Sequence, residues 1–310
     1  MTNPEDIADP LLRPPHPDFK SGMVAIVGCA NAGKSSLMNY ILDEKLSIVS
    51  PVAQTTRNQI RGIFTEERGQ IVFLDTPGLH TEFSKLGKLM NTAAKKSVSG
   101  TDAVLYVMDG SEPPQQKDRD WMERLAKFDQ PLVFVVNKSD CNPFHYKEFE
   151  DLWATFETEN QPVWVKTSAV VGTGMPKLLN ALLELMPKGP LLFPEDMLTD
   201  FPRKLIISDI IREKFFHVLY DEVPHSIAVW VENIQENETK WGIRVTVFVR
   251  TASQKGIVIG KKGRLLRRVK EESIDDIGQI YEKDVTLDVT VKVDKDWQKN
   301  FWILRKLGYA

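Results

Sequence analysis

The sequence predicts an α/β domain, a mostly parallel sheet with helices on both faces, followed by a smaller α+β domain. Three observations carry that prediction. Short apolar runs, MVAIV (23–27), QIVFLD (70–75), DAVLYVMD (102–109), PLVFVVN (131–137) and PVWVKTS (162–168), alternate with helical patterns. The stretch PKGPLLFPEDMLTDFPRK then places four prolines in eighteen residues, too many for a core element, and marks a domain boundary. Beyond it the period changes: HSIAVWVEN, GIRVTVFVR and VTLDVTVKV alternate apolar and polar residues, with helical material between them and a final helix from Trp297.

The first strand leads into GCANAGKSS, Gly28 to Ser36. A glycine, four residues and Gly-Lys-Ser is the pattern of a phosphate-binding loop, whose backbone N–H groups surround a β-phosphate. The helix that starts with Ser36-Leu37-Met38 turns its N-terminal dipole to the anion, Lys34 reaches the β- and γ-phosphates, and Ser35 can ligate Mg²⁺. The competing reading is a glycine-rich turn with no ligand; the strand before and the helix after it favour the phosphate.

NQIRGIFTEERGQIVFLD reads as a hairpin turning at Glu66 to Gly69, adding one antiparallel edge strand. Asp75-Thr76-Pro77-Gly78 follows, where an aspartate can hold Mg²⁺ through water and a glycine N–H can meet a γ-phosphate; alone, the pattern is equally an ordinary turn. Asn137-Lys138-Ser139-Asp140 ends the fourth parallel run and selects the base. A carboxylate accepts from guanine N1–H and its exocyclic amine, whereas adenine offers no such donors there. Asn137 ties the loop together, the Lys138 stem packs beside the purine, and the Ala169 N–H after Ser168 can meet guanine O6. All four motifs sit at strand C-terminal ends, where α/β sheets bind ligands.

Composition sets few limits. The chain has 310 residues, 42% apolar and 27% charged, enough for two domains without a metal or disulfide. Cys29 and Cys141 form no metal spacing and fit a reducing compartment, each readable as a small apolar filler. The first twenty residues carry four acidic residues and five prolines, unlike a signal peptide or basic presequence, and read as a flexible leader. No run approaches the ~20 apolar residues of a membrane span.

Charge is unevenly divided. Residues 1–203 hold 21 basic and 27 acidic side chains, and residues 204–310 hold 19 and 16. The second part clusters Lys255, Lys261, Lys262, Arg264, Arg267, Arg268 and Lys270 with no acid between Thr251 and Lys270. Within it, Gly260-Lys261-Lys262-Gly263 joins two helical segments. Its glycines let backbone lie against about four nucleotides of single-stranded RNA while the lysines meet phosphates. A plain helix-to-helix turn also wants glycine, but Arg264, Arg267 and Arg268, at i, i+3 and i+4, continue the positive face. Trp230 and Trp241 are open to two uses, stacking on bases or covering the sheet.

The nucleotide motifs resemble those of the translation-factor-related GTPases. IREKFFHVLYDEVPHSIAVWVE, VIGKKG and VKVDKDWQKNFWILRKLGY narrow this to the Era GTPases, over residues 22–310. The resemblance leaves the leader (1–21) outside it and implies a Ras-like P-loop GTPase domain (22–187), a linker (188–203) and a type II K-homology (KH) RNA-binding domain (204–310). It implies phosphate binding by Gly28, Asn31, Ala32, Gly33, Lys34, Ser35 and Ser36. SPVAQTTRNQ becomes the first switch, with Thr56 the second Mg²⁺ ligand and Thr55 its rival; Asp75, Thr76, Pro77, Gly78 and Leu79 become the second. Asn137, Lys138, Asp140, Ser168 and Ala169 read guanine, and Gly260, Lys261, Lys262, Gly263 and Arg264 with Arg267 and Arg268 hold RNA.

Leu79 stands where Ras-like enzymes carry a water-orienting glutamine, so the resemblance implies a water held by backbone and switch groups; His80 is open to a general-base or a merely solvated reading. Asn31 matches an asparagine that helps hold K⁺ in related enzymes, a charge an arginine finger supplies elsewhere. The resemblance further implies GTP and GDP as bound nucleotides, Mg²⁺-dependent hydrolysis, and the 3′ end of 16S ribosomal RNA and the 30S subunit as partners. It implies a monomer acting in small-subunit maturation, located in the cytoplasm with peripheral contact at the inner face of the membrane. Two other readings stay open: an RNA-binding module with a degenerate nucleotide site, and a membrane-associated signalling GTPase that sets its basic helix on anionic lipid.

Overall fold

A strand buried on both faces reads as an unbroken apolar run, and MVAIV lies inside such a strand: β1 (Lys20–Gly28) is buried throughout from Val24 to Gly28. The computed structural model describes residues 14–47, 60–75, 100–220 and 223–308. Among these, β1 belongs to a sheet with β2 (Ile60–Glu66), β3 (Gly69–Asp75), β4 (Ala103–Asp109), β5 (Leu132–Asn137) and β6 (Val163–Lys166). The order is β2-β3-β1-β4-β5-β6, and all neighbours are parallel except β2 and β3, the hairpin pair that closes at Glu66 and Gly69. Strand order therefore reverses on the two sides of β1, and the loop after β1 leaves the sheet at this switch point, where open α/β sheets hold their ligands.

Alternation decides the two faces. Val104, Tyr106, Phe134 and Val136 meet α2 (Gln116–Leu125) and α3 (Tyr146–Trp153) through Met122, Leu125, Phe149 and Trp153. On the opposite face α1 (Lys34–Leu42) lies over β1 to β3 and α4 (Met175–Leu185) over β3 and β6. Gly62 admits α1 this closely, since a Cβ there would come within 2.6 Å of a Leu42 methyl and 3.0 Å of the Met38 sulfur.

The proline-rich segment is fastened to the edge of this sheet. Gln70, fully buried, accepts from the N–H groups of Leu192 (2.8 Å) and Phe193 (2.9 Å) and donates to the Phe193 carbonyl (2.9 Å) and Thr65 Oγ1 (2.9 Å). Ile63 N–H donates to Leu198 O, and Phe193 and Met197 cover Ile63, Val72 and Leu74. Proline denies this stretch a ladder of its own, but one buried amide satisfies the backbone groups of Leu192 and Phe193, and Ile63 N–H meets Leu198 O.

The described residues from Phe201 onward fall in a second compact unit. Its elements are α5 (Arg203–Val218), the short α6 (Val223–Ser226), β7 (Ala228–Glu236), β8 (Lys240–Val249), α7 (Ala252–Ile259), α8 (Arg264–Tyr281), β9 (Asp284–Val293) and α9 (Phe301–Lys306). β7 runs antiparallel to β8, and β9 parallel to it. One face of this sheet, with Val229, Val231, Val245 and Leu287, packs on Ile207, Ile211 and Phe215 of α5, Val258 of α7, and Val269 and Ile277 of α8.

Two boundaries differ from the sequence expectation. The first alternating strand starts at Ala228, because residues 223–226 form a helical turn. The last helix starts at Phe301 and not at Trp297: Asn300 Oδ1 caps it, accepting from Trp302 and Ile303 N–H, while Trp297 is spent on the core, fully buried and donating its indole N–H to Ser226 O at 3.0 Å. Trp241 is buried against Tyr281, and Trp230 stacks on Phe248 with the Lys306 ammonium 4.3 Å from its ring centre, so the two rings cover the sheet.

Candidate functional site

The loop after β1 needs backbone that only particular residues accept. Gly28 has φ 146° and Gly33 φ 93°, and side chains at these positions would strike the Val107 carbonyl and the Asn137 carboxamide respectively. Asn31 takes the left-handed conformation that asparagine tolerates, φ 63°. Ala32 is fully buried, and Gly33 leads directly into α1, so the loop ends on a helix N-terminus.

Lys34 is buried, and its ammonium donates to the carbonyls of Gly28 (3.1 Å) and Cys29 (2.7 Å), within the concavity of the loop. Burial pushes this ammonium below the ordinary lysine value, with Asp75 pulling the other way. Ser35 Oγ donates to Asp75 Oδ2 at 2.8 Å. A hydroxyl and a fully buried carboxylate in contact at the mouth of a phosphate loop are hard oxygen donors, the set that suits Mg²⁺ shared with substrate phosphates. Ser36 lies in the first turn of α1. Thr55, Thr56, Thr76, Pro77, Gly78, Leu79 and His80 lie outside the described residues.

Asn137 joins three loops. Its Nδ2 donates to Ala32 O at 3.0 Å, and its Oδ1 accepts from Thr167 Oγ1 and from Ala169 N–H, each at 3.1 Å. The structure thus brings the phosphate loop, the Asn137–Asp140 turn and the Thr167–Ala169 turn together. The Ala169 N–H, read from the sequence as a donor to guanine O6, is here directed at Asn137. Ser168 is fully buried and folds its own turn, its Oγ accepting from Val170 (3.3 Å) and Val171 (3.2 Å). Asp140 is exposed at the rim, in a turn pinned by Ser139 N–H to Thr167 O and Cys141 N–H to Lys138 O.

Two acidic residues that motif reading passed over complete the site. Lys138, at φ 65°, extends its ammonium to Asp109 Oδ2 at 2.5 Å. Under the phosphate loop, Asp118 Oδ1 accepts from the Cys29 thiol (3.5 Å) and Tyr106 OH (3.3 Å), while its Oδ2 accepts from Gln115 N–H. Burial first, then the Asp118 charge, pushes the Cys29 thiol up to about 12. Neither acid falls inside one of the sequence motifs, so pattern alone could not have found them.

In the second unit the G-x-x-G loop is built asymmetrically. Gly260 (φ 73°, ψ 172°) occupies a region open almost only to glycine, and its Cβ would come within 2.6 Å of Leu265 Cβ. Gly263 (φ 73°, ψ 10°) is left-handed, and a Cβ there would meet nothing of the protein within 4 Å. Lys262 is also left-handed, and both lysines are exposed. Of the arginines, Arg264, Arg267 and Arg268 line the start of α8, but Arg268 Nε is paired with Glu272 at 2.7 Å and Arg264 Nε donates to Lys261 O at 3.4 Å. The positive face of α8 is therefore partly neutralised at Arg268.

A switch-point sheet with a phosphate loop and a guanine-type turn, followed by a helix–strand–strand–helix–helix–strand unit with a G-x-x-G loop, defines a P-loop GTPase carrying a KH domain. Residues 23–138 match the family model of 50S ribosome-binding GTPases, and residues 222–298 that of the KH domain. The chain is 41% identical to the GTPase Era of Caldanaerobacter subterraneus subsp. tengcongensis over 295 residues, which span 94% of this chain and 98% of that one. It is 41% identical to the GTPase Era of a Geobacter species over 292 residues, 94% and 98% of the two chains. Among solved structures, it is similar to a tyrosine-to-alanine variant of Aquifex aeolicus Era bound to GDP·AlF4⁻, with a TM-score of 0.85 at 34% identity over 94% of this chain and 100% of that one. It is similar also to Era in complex with MgGDPNP and nucleotides 1506–1542 of 16S ribosomal RNA, with a TM-score of 0.87 at 34% identity over 94% and 99%. The chain belongs to the Era GTPase family, and its activity is hydrolysis of GTP. Among the described residues, no helix is long and apolar enough to cross a membrane.

Proposed function

We propose that this protein is a GTP-controlled RNA-binding switch that holds the 3′ end of small-subunit ribosomal RNA and acts in maturation of that subunit. The observation that carries the reading is kinship over 94% of the chain, both domains included, with a protein solved on MgGDPNP and nucleotides 1506–1542 of 16S ribosomal RNA. In this reading residues 22–187 form the GTPase domain, 188–203 join it to the rest, and 204–310 form the KH domain.

At the nucleotide end, the backbone N–H groups from Asn31 to Ser36 surround the β-phosphate, and Lys34 turns its ammonium from the carbonyls of Gly28 and Cys29 to the phosphates. Ser35 and, through water, Asp75 would hold Mg²⁺, with Thr56 as the second hydroxyl. Mg²⁺, when bound, supplies positive charge to the β- and γ-phosphates. Asp140 accepts from guanine N1–H and the exocyclic amine, the Lys138 stem flanks the ring, and Asn137 holds the three loops in register. Leu79 leaves the attacking water to backbone and switch groups, and Asn31 would help hold K⁺ at the phosphates. The same reading places the protein in the cytoplasm as a monomer, with peripheral membrane contact through its basic face.

At the RNA end, single-stranded nucleotides lie against the open side of Gly263, with Lys261, Lys262 and Arg267 on phosphates. The test is binding of a small-subunit rRNA 3′-end oligonucleotide in the presence of a non-hydrolysable GTP analogue or GDP, with Gly263→Asp as control. Tighter binding with the analogue, lost in the variant, is the expected result. Equal binding with both nucleotides would overturn the switch while leaving an RNA-binding module.

A further inference from the structure

At the end of β4, Asp109 sits opposite Asn137, the last residue of β5, in the parallel register of the two strands. Its carboxylate is committed on both oxygens. Oδ2 takes the Lys138 ammonium at 2.5 Å, and Oδ1 accepts from Ser111 Oγ (2.5 Å) and Ser111 N–H (3.0 Å). The backbone repeats the same connection, since Gly110 N–H donates to Asn137 O at 2.9 Å and His145 N–H donates to Gly110 O at 2.9 Å. A side chain at Gly110 would strike the Phe144 ring and come within 2.7 Å of Asn137 O, so the two strand ends are pressed together.

Lys138 needs such a partner. Its backbone is left-handed at φ 65°, a conformation costly to a residue with a Cβ, and its long side chain has several rotamers from which few lie along a base plane. We infer that Asp109 is a positioning residue of the nucleotide site: it clamps the Lys138 ammonium so that the side-chain stem stands as a fixed wall beside the purine. The inference deepens the nucleotide-site reading above and rests on it. Ser111 in turn holds the carboxylate at the correct angle. Burial alone would push the Asp109 carboxyl up, but the bonds from Lys138 and Ser111 outweigh it and keep the group below its ordinary range, so the clamp stays charged at neutral pH.

The experiment is a double-mutant cycle on GDP binding with the full chain, using Asp109→Ala, Lys138→Ala and the double variant. The ion pair is partly solvated, 34% and 26% exposed, so the expected loss is moderate: GDP dissociates about 5- to 30-fold faster from Asp109→Ala. Because Asp109 acts only through Lys138, the double variant binds GDP as Lys138→Ala does. Additive losses, or an unchanged dissociation rate in Asp109→Ala beside a weakened Lys138→Ala, overturn the clamp and leave the nucleotide reading standing. A wild-type chain that fails to bind GDP overturns both. Should Asp109→Ala melt early, Asp109→Asn, which keeps the shape and loses the charge, decides by the same cycle.

Discussion

The side-chain amide of Asn137 donates to the carbonyl of Ala32 across 3.0 Å, tying together two strand-end loops 105 residues apart in the chain. The same carboxamide accepts from Thr167 Oγ1 and Ala169 N–H, and the residue is 2% exposed. An amide placed at the meeting point of three ligand loops sets their mutual spacing before any nucleotide arrives.

Asn137→Ala therefore leaves two buried groups, Ala32 O and Thr167 Oγ1, and the half-buried Ala169 N–H unpaired. The expected cost is about 2–4 kcal/mol of stability, at roughly 1 kcal/mol or more for each orphaned group. GDP affinity is expected to fall by about two orders of magnitude, since both the phosphate loop and the guanine turn lose their register. Thermal melts with and without GDP check this: the stabilisation that GDP gives the wild type should be largely absent in the variant.

Cys29 lies inside the phosphate loop yet is expected to be chemically quiet. Burial and the neighbouring Asp118 carboxylate push its thiol up to about 12, so the reactive thiolate is scarce near neutral pH. The folded protein binds this proton more tightly than the unfolded chain does, so the sign of the linkage is a loss of stability as pH rises above the ordinary thiol range. Alkylation by iodoacetamide at pH 8, followed by mass spectrometry, should label Cys141 well before Cys29. Replacing Asp118 by Asn should narrow that gap.

Much of the nucleotide end was legible because its motifs pair a residue type with a strand end: Gly33-Lys34-Ser35, Asp75 and Asn137 stand where the sheet ends, and the fold brings them together. Asp109 and Asp118 were not legible. Each is one acid among many in the sequence, and only the pairing of β4 with β5 and the closeness of α2 to the loop give them partners. The proline-rich segment was visible as a break in periodicity, but its attachment through Gln70 depends on a contact 122 residues away that no local pattern encodes. Likewise Trp297 reads as a helix start by hydrophobicity, whereas burial and the Asn300 cap move that start to Phe301.

Gln70 makes four hydrogen bonds from a fully buried amide, and two of its partners are backbone N–H groups of the proline-rich segment. Gln70→Ala should cost about 2–4 kcal/mol. It should also release residues 190–200 as a unit, because Leu192 and Phe193 have no strand ladder to fall back on. Hydrogen exchange at Leu192, Phe193 and Ile63 is the direct readout: all three amides should lose protection in the variant, with β4 and β5 unchanged.

The two glycines of the G-x-x-G loop should behave differently when replaced. Gly260 holds φ 73° with ψ 172°, and a Cβ there meets Leu265 at 2.6 Å, so Gly260→Ala combines forbidden backbone with a collision and should cost roughly 2–4 kcal/mol. Gly263 holds φ 73° with ψ 10°, a conformation that aspartate adopts for about 1 kcal/mol, and nothing of the protein lies within 4 Å of its Cβ. Gly263→Asp should therefore fold and melt within a few degrees of the wild type. Its carboxylate would stand where the proposed RNA strand lies, so RNA affinity should drop by an order of magnitude or more while GDP binding is unchanged. Paired melts and RNA titrations of the two variants separate the roles. If Gly263→Asp kept full RNA affinity, the open side of that glycine would not be where the strand lies. If it instead melted as early as Gly260→Ala, the space beside Gly263 would be serving the fold and not a ligand.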